Sequence, residues 1–292
     1  MFHSTLGRID VKSRLPEARS LRQAWRALLT TSVKEANIDT SILRPADHVA
    51  AAFLDWQQKV TDRPFFAFLN FYDAHGPYRA PEAFNRRFFL HHPSNLDRYD
   101  AAIAWLDHVV GTIVDSLKQR GVLDRTIVIV TSDHGEQFGE HGLPMHGNSL
   151  YLPLLNVPLL VRYPSAVPLG LRVGTVVSLR DVAATILELA GIAGGLEIPG
   201  TSLATAWRNP GQAVQGDVIA ELSKGINEEP VARNGKGDMV SRLDGRFHYI
   251  RNGDGQEELY DFLADPQELK NLVSSPAVQV DLVRLRAGLA GR

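Results

Sequence analysis

Apolar positions fall into two rhythms along this chain. Val49, Phe53, Trp56 and Val60 recur at four, three and four residues, which predicts an amphipathic helix. Ile103, Leu106, Val110, Ile113 and Leu117 repeat that spacing and predict a second helix, with Gly121 where a C-terminal cap glycine belongs. Between the two, residues 65–71 (FFAFLNF) form a nearly unbroken apolar run behind Pro64. That is the pattern of a strand buried on both faces of a parallel sheet. Residues 126–131 (TIVIVT) and 157–163 (VPLLVRY) predict two more strands, and Ser178 caps a helix that ends near Ala190 and Gly191.

Strands alternating with helices predict an α/β fold around a mostly parallel sheet flanked by helices. After about Gly211 the rhythm shifts to short strands at Val218–Leu222, Met239–Leu243 and Phe247–Arg251, then a closing helix near 278–289. This predicts a small C-terminal α+β subdomain. Residues 1–46 are the least readable: Leu21, Trp25 and Leu28 have helical spacing, but no buried-strand pattern occurs there. The expected organisation is a poorly defined segment over 1–46, an α/β core over 47–210 and the subdomain over 211–292.

Composition narrows the function classes. The 292 residues carry a net charge of -2, so the clustered basic surplus of a nucleic-acid footprint is not expected. No apolar run approaches the roughly 20 residues that span a bilayer. The first twenty residues hold no apolar core of the secretory kind. There is no cysteine, which excludes disulfides, thiolate metal sites and a cysteine nucleophile, and leaves the compartment unassigned.

In an open α/β sheet, ligands bind beyond the carboxyl ends of the strands. The run at 65–71 leads into Tyr72-Asp73-Ala74-His75-Gly76-Pro77-Tyr78. The run at 126–131 leads into Ser132-Asp133-His134-Gly135-Glu136, then Gly139-Glu140-His141-Gly142 and Met145-His146-Gly147. Four of the ten histidines lie in these two loops. Asp133 and His134 can both ligate a divalent cation, and a histidine ligand favours zinc or a transition metal over calcium. By itself the dipeptide fits a helix cap followed by a surface histidine at least as well. His75 reads either as a donor or general acid near a leaving oxygen or as a loop histidine satisfied by backbone. His146 is equally open, and His141 reads as a brace for its own loop.

Three stretches carry a resemblance to the sulfatases of the alkaline-phosphatase-like superfamily: FAFLNFYDAHGPYRAPEAF, the long block YDAAIAWLDHVVGTIVDSLKQRGVLDRTIVIVTSDHGEQFGEHG continuing through MHGNSLYLPLLNVPLLVRYP, and ELYDFLADPQELKNLV. The resemblance runs from about Asp47 to the end and implies a partial alkaline-phosphatase-like fold. It implies that Asp133 and His134 are metal ligands for Mn, Zn or Ca, that His75 contacts the transferred group and the leaving oxygen, and that His146 faces sulfate or phosphate oxygens. The implied partner is a small-molecule sulfate or phosphate ester. A sulfatase-type hydrolase of sulfate esters is the first expectation, a phosphodiesterase or phosphonate monoesterase of the same superfamily the second, and a non-catalytic remnant acting only in binding the third.

The departure from the family lies upstream. The resemblance calls for an apolar strand ending in paired acidic ligands, then Cys- or Ser-x-Pro-x-Arg, whose first residue becomes the formylglycine nucleophile. Residues 13–19 (SRLPEAR) miss that motif by one residue in each gap. No strand leads into Asp10, Glu17, Glu35 or Asp39, and Thr30, Thr31 and Ser32 lack the acidic neighbours a nucleophile needs. The expectation is a truncated product, a misplaced start or one half of a split enzyme, inactive alone, with a missing N-terminal half or an oligomeric partner completing it.

Overall fold

The computed structural model describes residues 44–60, 63–89, 92–192, 198–209, 217–225 and 233–289. The readings made on Leu21, Trp25 and Leu28, on residues 13–19 and on the acidic and hydroxyl residues of the N-terminal segment lie outside these. The chain divides into two compact units, one reaching to Leu123 and the other running from Asp124 to the C-terminus.

In the first unit, α1 (Ala46–Gln58), α2 (Glu82–Phe88) and α3 (Asn95–Gln119) are the regular elements. Helix α3 starts at a capping box: Ser94 Oγ accepts from the Asp97 N–H at 3.1 Å and the Asp97 carboxylate accepts from the Ser94 N–H at 2.7 Å. It ends in a Schellman motif. Gly121, at φ +68°, donates to the Lys118 carbonyl at 2.9 Å, and Val122 donates to Leu117 at 3.0 Å. The Arg120 guanidinium at that end binds the Leu54 carbonyl at 2.8 Å, tying α3 to α1. Asp73 ties the two helices again, its Oδ1 accepting from the Ala46 N–H and from the Trp105 indole, both at 3.2 Å.

Residues 65–71 do not form the strand their apolar run predicts. They are extended, but no strand pairs with them among the described residues, and Phe66 and Phe68 are 73% and 82% exposed. Phe65 packs edge-on to Trp56 at 5.9 Å and tilted against Phe53 at 6.2 Å. A strand is defined by its hydrogen-bonded neighbour, and apolar character alone does not supply one.

In the second unit, β1 (Val128–Thr131) pairs with β4 (Leu159–Arg162), and Thr131 stands opposite Leu159. The pair is antiparallel, as is every strand pairing among the described residues, so the parallel pairing expected from the sequence is not found among them. Between them lie β2 (Gln137–Phe138), β3 (Pro144–Met145) and the one-turn helix α4 (Leu152–Leu155). Beyond β4, Ser178 caps a 3-10 turn that leads into α5 (Val182–Leu189), and α6 (Ala204–Arg208) follows. These helices bury Leu189, Leu203 and Trp207 in a cluster with Val157 and Val177, against which Leu159 and Val161 of β4 pack.

The C-terminal sheet is an antiparallel meander of β5 (Val218–Leu222), β6 (Met239–Leu243), β7 (Phe247–Arg251) and β8 (Glu257–Asp261), closed by α7 (Gln279–Ala287). The first three strands coincide with their predicted spans. Strand alternation sends Val218, Ala220, Met239, Leu243, Ile250 and Tyr260 to one face, where they meet Leu143, Tyr151 and Leu155. Val240, Phe247, Tyr249 and Leu259 point to the other and meet Leu282 and Leu285 of α7. The sheet is therefore buried on both faces, and one of its layers is the segment that follows β1. None of the described helices is long and apolar enough to cross a membrane.

Candidate active site

Strand β1 delivers the residues after Thr131 into a loop held by backbone contacts. The Thr131 hydroxyl donates to the Pro158 carbonyl at 2.8 Å, and the Ser132 hydroxyl donates to the His134 carbonyl at 2.6 Å. Gly135 donates its N–H to the Leu154 carbonyl at 2.8 Å, which fastens the loop to α4. No helix follows Asp133, so it caps none.

The loop then folds into a hairpin. Gln137 pairs with Met145, and that register sets Glu136 against His146 as the next opposed pair. His146 Nδ1 lies 2.9 Å from Glu136 Oε1, and the Glu136 side chain is only 4% exposed. His141, at the hairpin tip with φ 56°, stacks on Tyr151 at 3.7 Å and 7°. It braces its own loop, as its sequence setting suggested. The Tyr151 hydroxyl donates to Glu258 at 2.8 Å, and the Tyr260 hydroxyl bonds the same carboxylate, so the loop is clamped to β8. Burial, reinforced by that adjacent carboxylate, pushes both phenols well above the ordinary tyrosine range.

Three of the four sequence-predicted site residues come together here. The rings of His134 and His146 lie 4.2 Å apart, and Asp133 Oδ2 is 3.7 Å from His134 Nε2. His134 Nδ1 lies 2.8 Å from the Gly135 carbonyl, which can only accept, so this nitrogen carries the proton. In the neutral ring the lone pair is then on Nε2, the nitrogen nearer Asp133. A carboxylate oxygen and an imidazole nitrogen at that separation can serve as neighbouring ligands of one cation with bonds of about 2.0–2.2 Å. Among the described residues, no group of three or more His, Asp or Glu could hold a metal ion. Asp133 and His134 supply two potential donors, fewer than such a group would need.

His75 belongs to the first unit. Its Nδ1 lies 2.9 Å from the Gly76 carbonyl and its ring stacks on Tyr72 at 4.3 Å and 24°. The backbone locks the turn, with His75 N–H donating to Tyr72 at 3.0 Å and Tyr78 N–H donating to His75 at 2.8 Å. His75 thus carries its proton on Nδ1, as His134 does. Two residues earlier, Asp73 is buried and its Oδ2 has no hydrogen-bond partner. Desolvation raises its carboxyl above the ordinary range against the lowering effect of the Ala46 and Trp105 bonds.

Glu136 had no role in the sequence reading. The signal that could have found it is the hairpin itself, whose turn glycines Gly139 and Gly142 and register place position 136 against position 146.

The sulfatase family model matches residues 25–192, and the model for the C-terminal part of N-sulphoglucosamine sulphohydrolase matches residues 139–290. A choline-sulfatase of Rhizobium meliloti is 32% identical over 65% of the chain and 35% of its own length. A mouse arylsulfatase K is 35% identical over 60% of the chain and 32% of its own length. The chain therefore spans about a third of the curated relatives it matches. Among solved structures, the phosphonate monoester hydrolase of Agrobacterium radiobacter superposes with a TM-score of 0.66 at 21% identity, covering 84% of this chain and 62% of that one. That likeness shows the shared fold.

Proposed function

The chain belongs to the sulfatase family, and on that premise we propose that it carries metal- and anion-binding residues of a hydrolase that cleaves sulfate esters. The observation that carries this reading is the contact of His134 with His146, rings 4.2 Å apart, with the Asp133 carboxylate 3.7 Å from His134 Nε2. It sets a ligand pair beside a ring suited to an oxyanion. A divalent cation bound by Asp133 and His134 would supply Lewis-acid polarisation of one non-bridging ester oxygen. His146 hydrogen-bonds another oxygen and offsets the charge that builds there. His75, whose Nδ1–H is committed to the Gly76 carbonyl, would serve a leaving oxygen through Nε2 only as the imidazolium, with a proton on that nitrogen as well.

No residue is assigned as nucleophile, because no Cys- or Ser-x-Pro-x-Arg occurs in the sequence. The chain by itself is proposed to bind metal weakly and to turn over no ester. A phosphonate monoesterase or phosphodiesterase is the second reading, favoured by the histidine at 134. The domain division into a 47–210 core and a 211–292 subdomain stays part of the proposal.

The test is calorimetry of Mn or Zn binding to the purified chain, followed by aryl sulfate and aryl phosphodiester assays of the metal-loaded protein. Metal binding weakened by both Asp133→Ala and His134→Ala supports the site. Binding indifferent to both substitutions removes it. Turnover of either ester faster than by the His134→Ala variant would place a nucleophile within the chain and overturn the claim that none is present.

A further inference from the structure

One buried amide of the C-terminal subdomain reaches into the loop that carries His146. Asn234 stands in the 3-10 turn Arg233–Lys236, just before β6, and is 2% exposed. Its Nδ2 donates to the Gly147 carbonyl at 2.8 Å, one residue past His146. A carbonyl only accepts, so the amide bonds there only with its nitrogen toward Gly147. Its own Oδ1 is enclosed and has no hydrogen-bond partner among the described residues. A buried amide with one end unsatisfied is a poor filler of space, and what this one supplies is the donor.

The turn around His146 needs such a hold. Met145 and Gly147, on either side of it, have left-handed backbone, φ 64° and φ 75°. That conformation is uncommon for a residue with a side chain, and it persists at Met145 only because the surroundings impose it. Asn148 closes the turn from inside, its Nδ2 donating to the Pro144 carbonyl at 2.6 Å. The Arg233–Lys236 turn holds it from outside, the N–H groups of Arg233 and Asn234 both donating to the Asn148 carbonyl, at 3.0 and 3.3 Å. The same turn is seated on the connection between β7 and β8. Lys236 pairs with Asp254 at 2.7 Å, and neither Gly237 nor Gly253 has room for a Cβ against the backbone of the other. Main-chain contacts therefore lead from the meander to the two residues that follow His146.

We propose that Asn234 is a positioning residue for His146: it holds the turn that seats the His146 ring 4.2 Å from that of His134. The C-terminal subdomain thereby sets the spacing of the candidate site, through a bond to the main chain beside the ring. The inference deepens the hydrolase reading and rests on it only for the use to which the paired rings are put.

Proton NMR of the full chain tests this. The ring protons of His134 and His146 should give a nuclear Overhauser peak in the wild-type chain, and the side-chain amide protons of Asn234 should exchange slowly with water. Asn234→Leu has a similar reach and no donor. It frees the Gly147 carbonyl, and a loosening of about 1 Å, the scale on which an unsupported site slips, weakens the ring peak roughly threefold. His248, buried in β7, should keep its signals and report an intact subdomain. Asn234→Ser, smaller and too short to span the gap, is expected to behave alike and serves where the leucine variant does not fold.

A wild-type chain without the ring peak overturns the proposal, as does rapid exchange of the Asn234 amide or an undiminished peak in a folded variant. Loss of the His248 signals in both variants makes Asn234 a support of the whole subdomain and overturns it too. The hydrolase reading fails by a separate result, metal binding indifferent to Asp133 and His134, which leaves the ring comparison standing.

Discussion

Gly135 lies so close to Pro153 that a Cβ at position 135 would stand 2.0 Å from the Pro153 carbonyl oxygen. The N–H of the same glycine bonds Leu154 at 2.8 Å, so the ligand loop and α4 are in main-chain contact. The backbone that carries Asp133 and His134 is thereby fastened to the layer packed on the C-terminal sheet.

Gly135→Ala should force that contact apart. The expected cost is roughly 3 kcal/mol, the upper range for overpacking a filled position. Urea unfolding of the chain measures it, and a loss below about 1 kcal/mol would show that the loop gives way easily.

Asp133 and His134 should behave as one unit toward a cation. Removing either side chain takes away one of two donors, so each single substitution is expected to weaken Mn or Zn binding by at least about tenfold. The double variant should be little worse than the worse single, because partners in one coordination shell are not additive. Additive losses in calorimetry would mean that the two residues serve different ions.

Asp73 gives a pH-dependent stability effect. Desolvation raises its carboxyl in the folded state above the ordinary value of 3.8. The folded protein therefore holds this proton more tightly than the unfolded chain, and stability is lost as pH rises from near that value through the folded-state value. Asp73→Asn keeps a carbonyl acceptor for the Ala46 N–H and the Trp105 indole and removes the charge. It should be more stable than wild type at neutral pH, with the advantage fading on acidification. Denaturant midpoints across pH decide the matter, and an advantage that grows toward low pH would contradict it.

Glu268 joins two elements. Buried and at φ 58°, it accepts from His248 Nδ1 of β7 at 2.5 Å and from the Leu152 N–H of α4 at 2.7 Å. Glu268→Ala leaves a buried imidazole and a buried amide without partners, at an expected cost of about 3 kcal/mol. Chemical denaturation should show it, and a neutral result would mean that water replaces the carboxylate.

What could be read ahead of the coordinates was whatever local pattern decides. The shift to short strands after Gly211 marked Met239–Leu243 and Phe247–Arg251, and the three-four spacing ending at Leu117 marked α3 together with its glycine stop. The strand Glu257–Asp261 escaped because three of its five residues are acidic, and what lets it pair is their internal partners: Glu258 with Tyr151 and Asn252, Asp261 with Arg246. At 65–71 the composition pointed to a strand, but pairing depends on a neighbour that no local pattern encodes. The cluster at the end of β1 was legible because three of its members sit within fourteen residues of one loop. Glu136 was not, since its meaning comes from the residue it faces across the hairpin.

His75 and His134 each surrender Nδ1–H to the carbonyl of the very next residue. Every amino acid has that oxygen, so substitution at the following position cannot by itself reassign either proton, and these two rings inherit their chemistry from the main chain. His146 Nδ1 instead faces an acid ten positions away in sequence. Of the three imidazoles, it is the one whose Nδ1 faces a side chain, so a substitution elsewhere in the chain can remove that neighbour without touching a histidine.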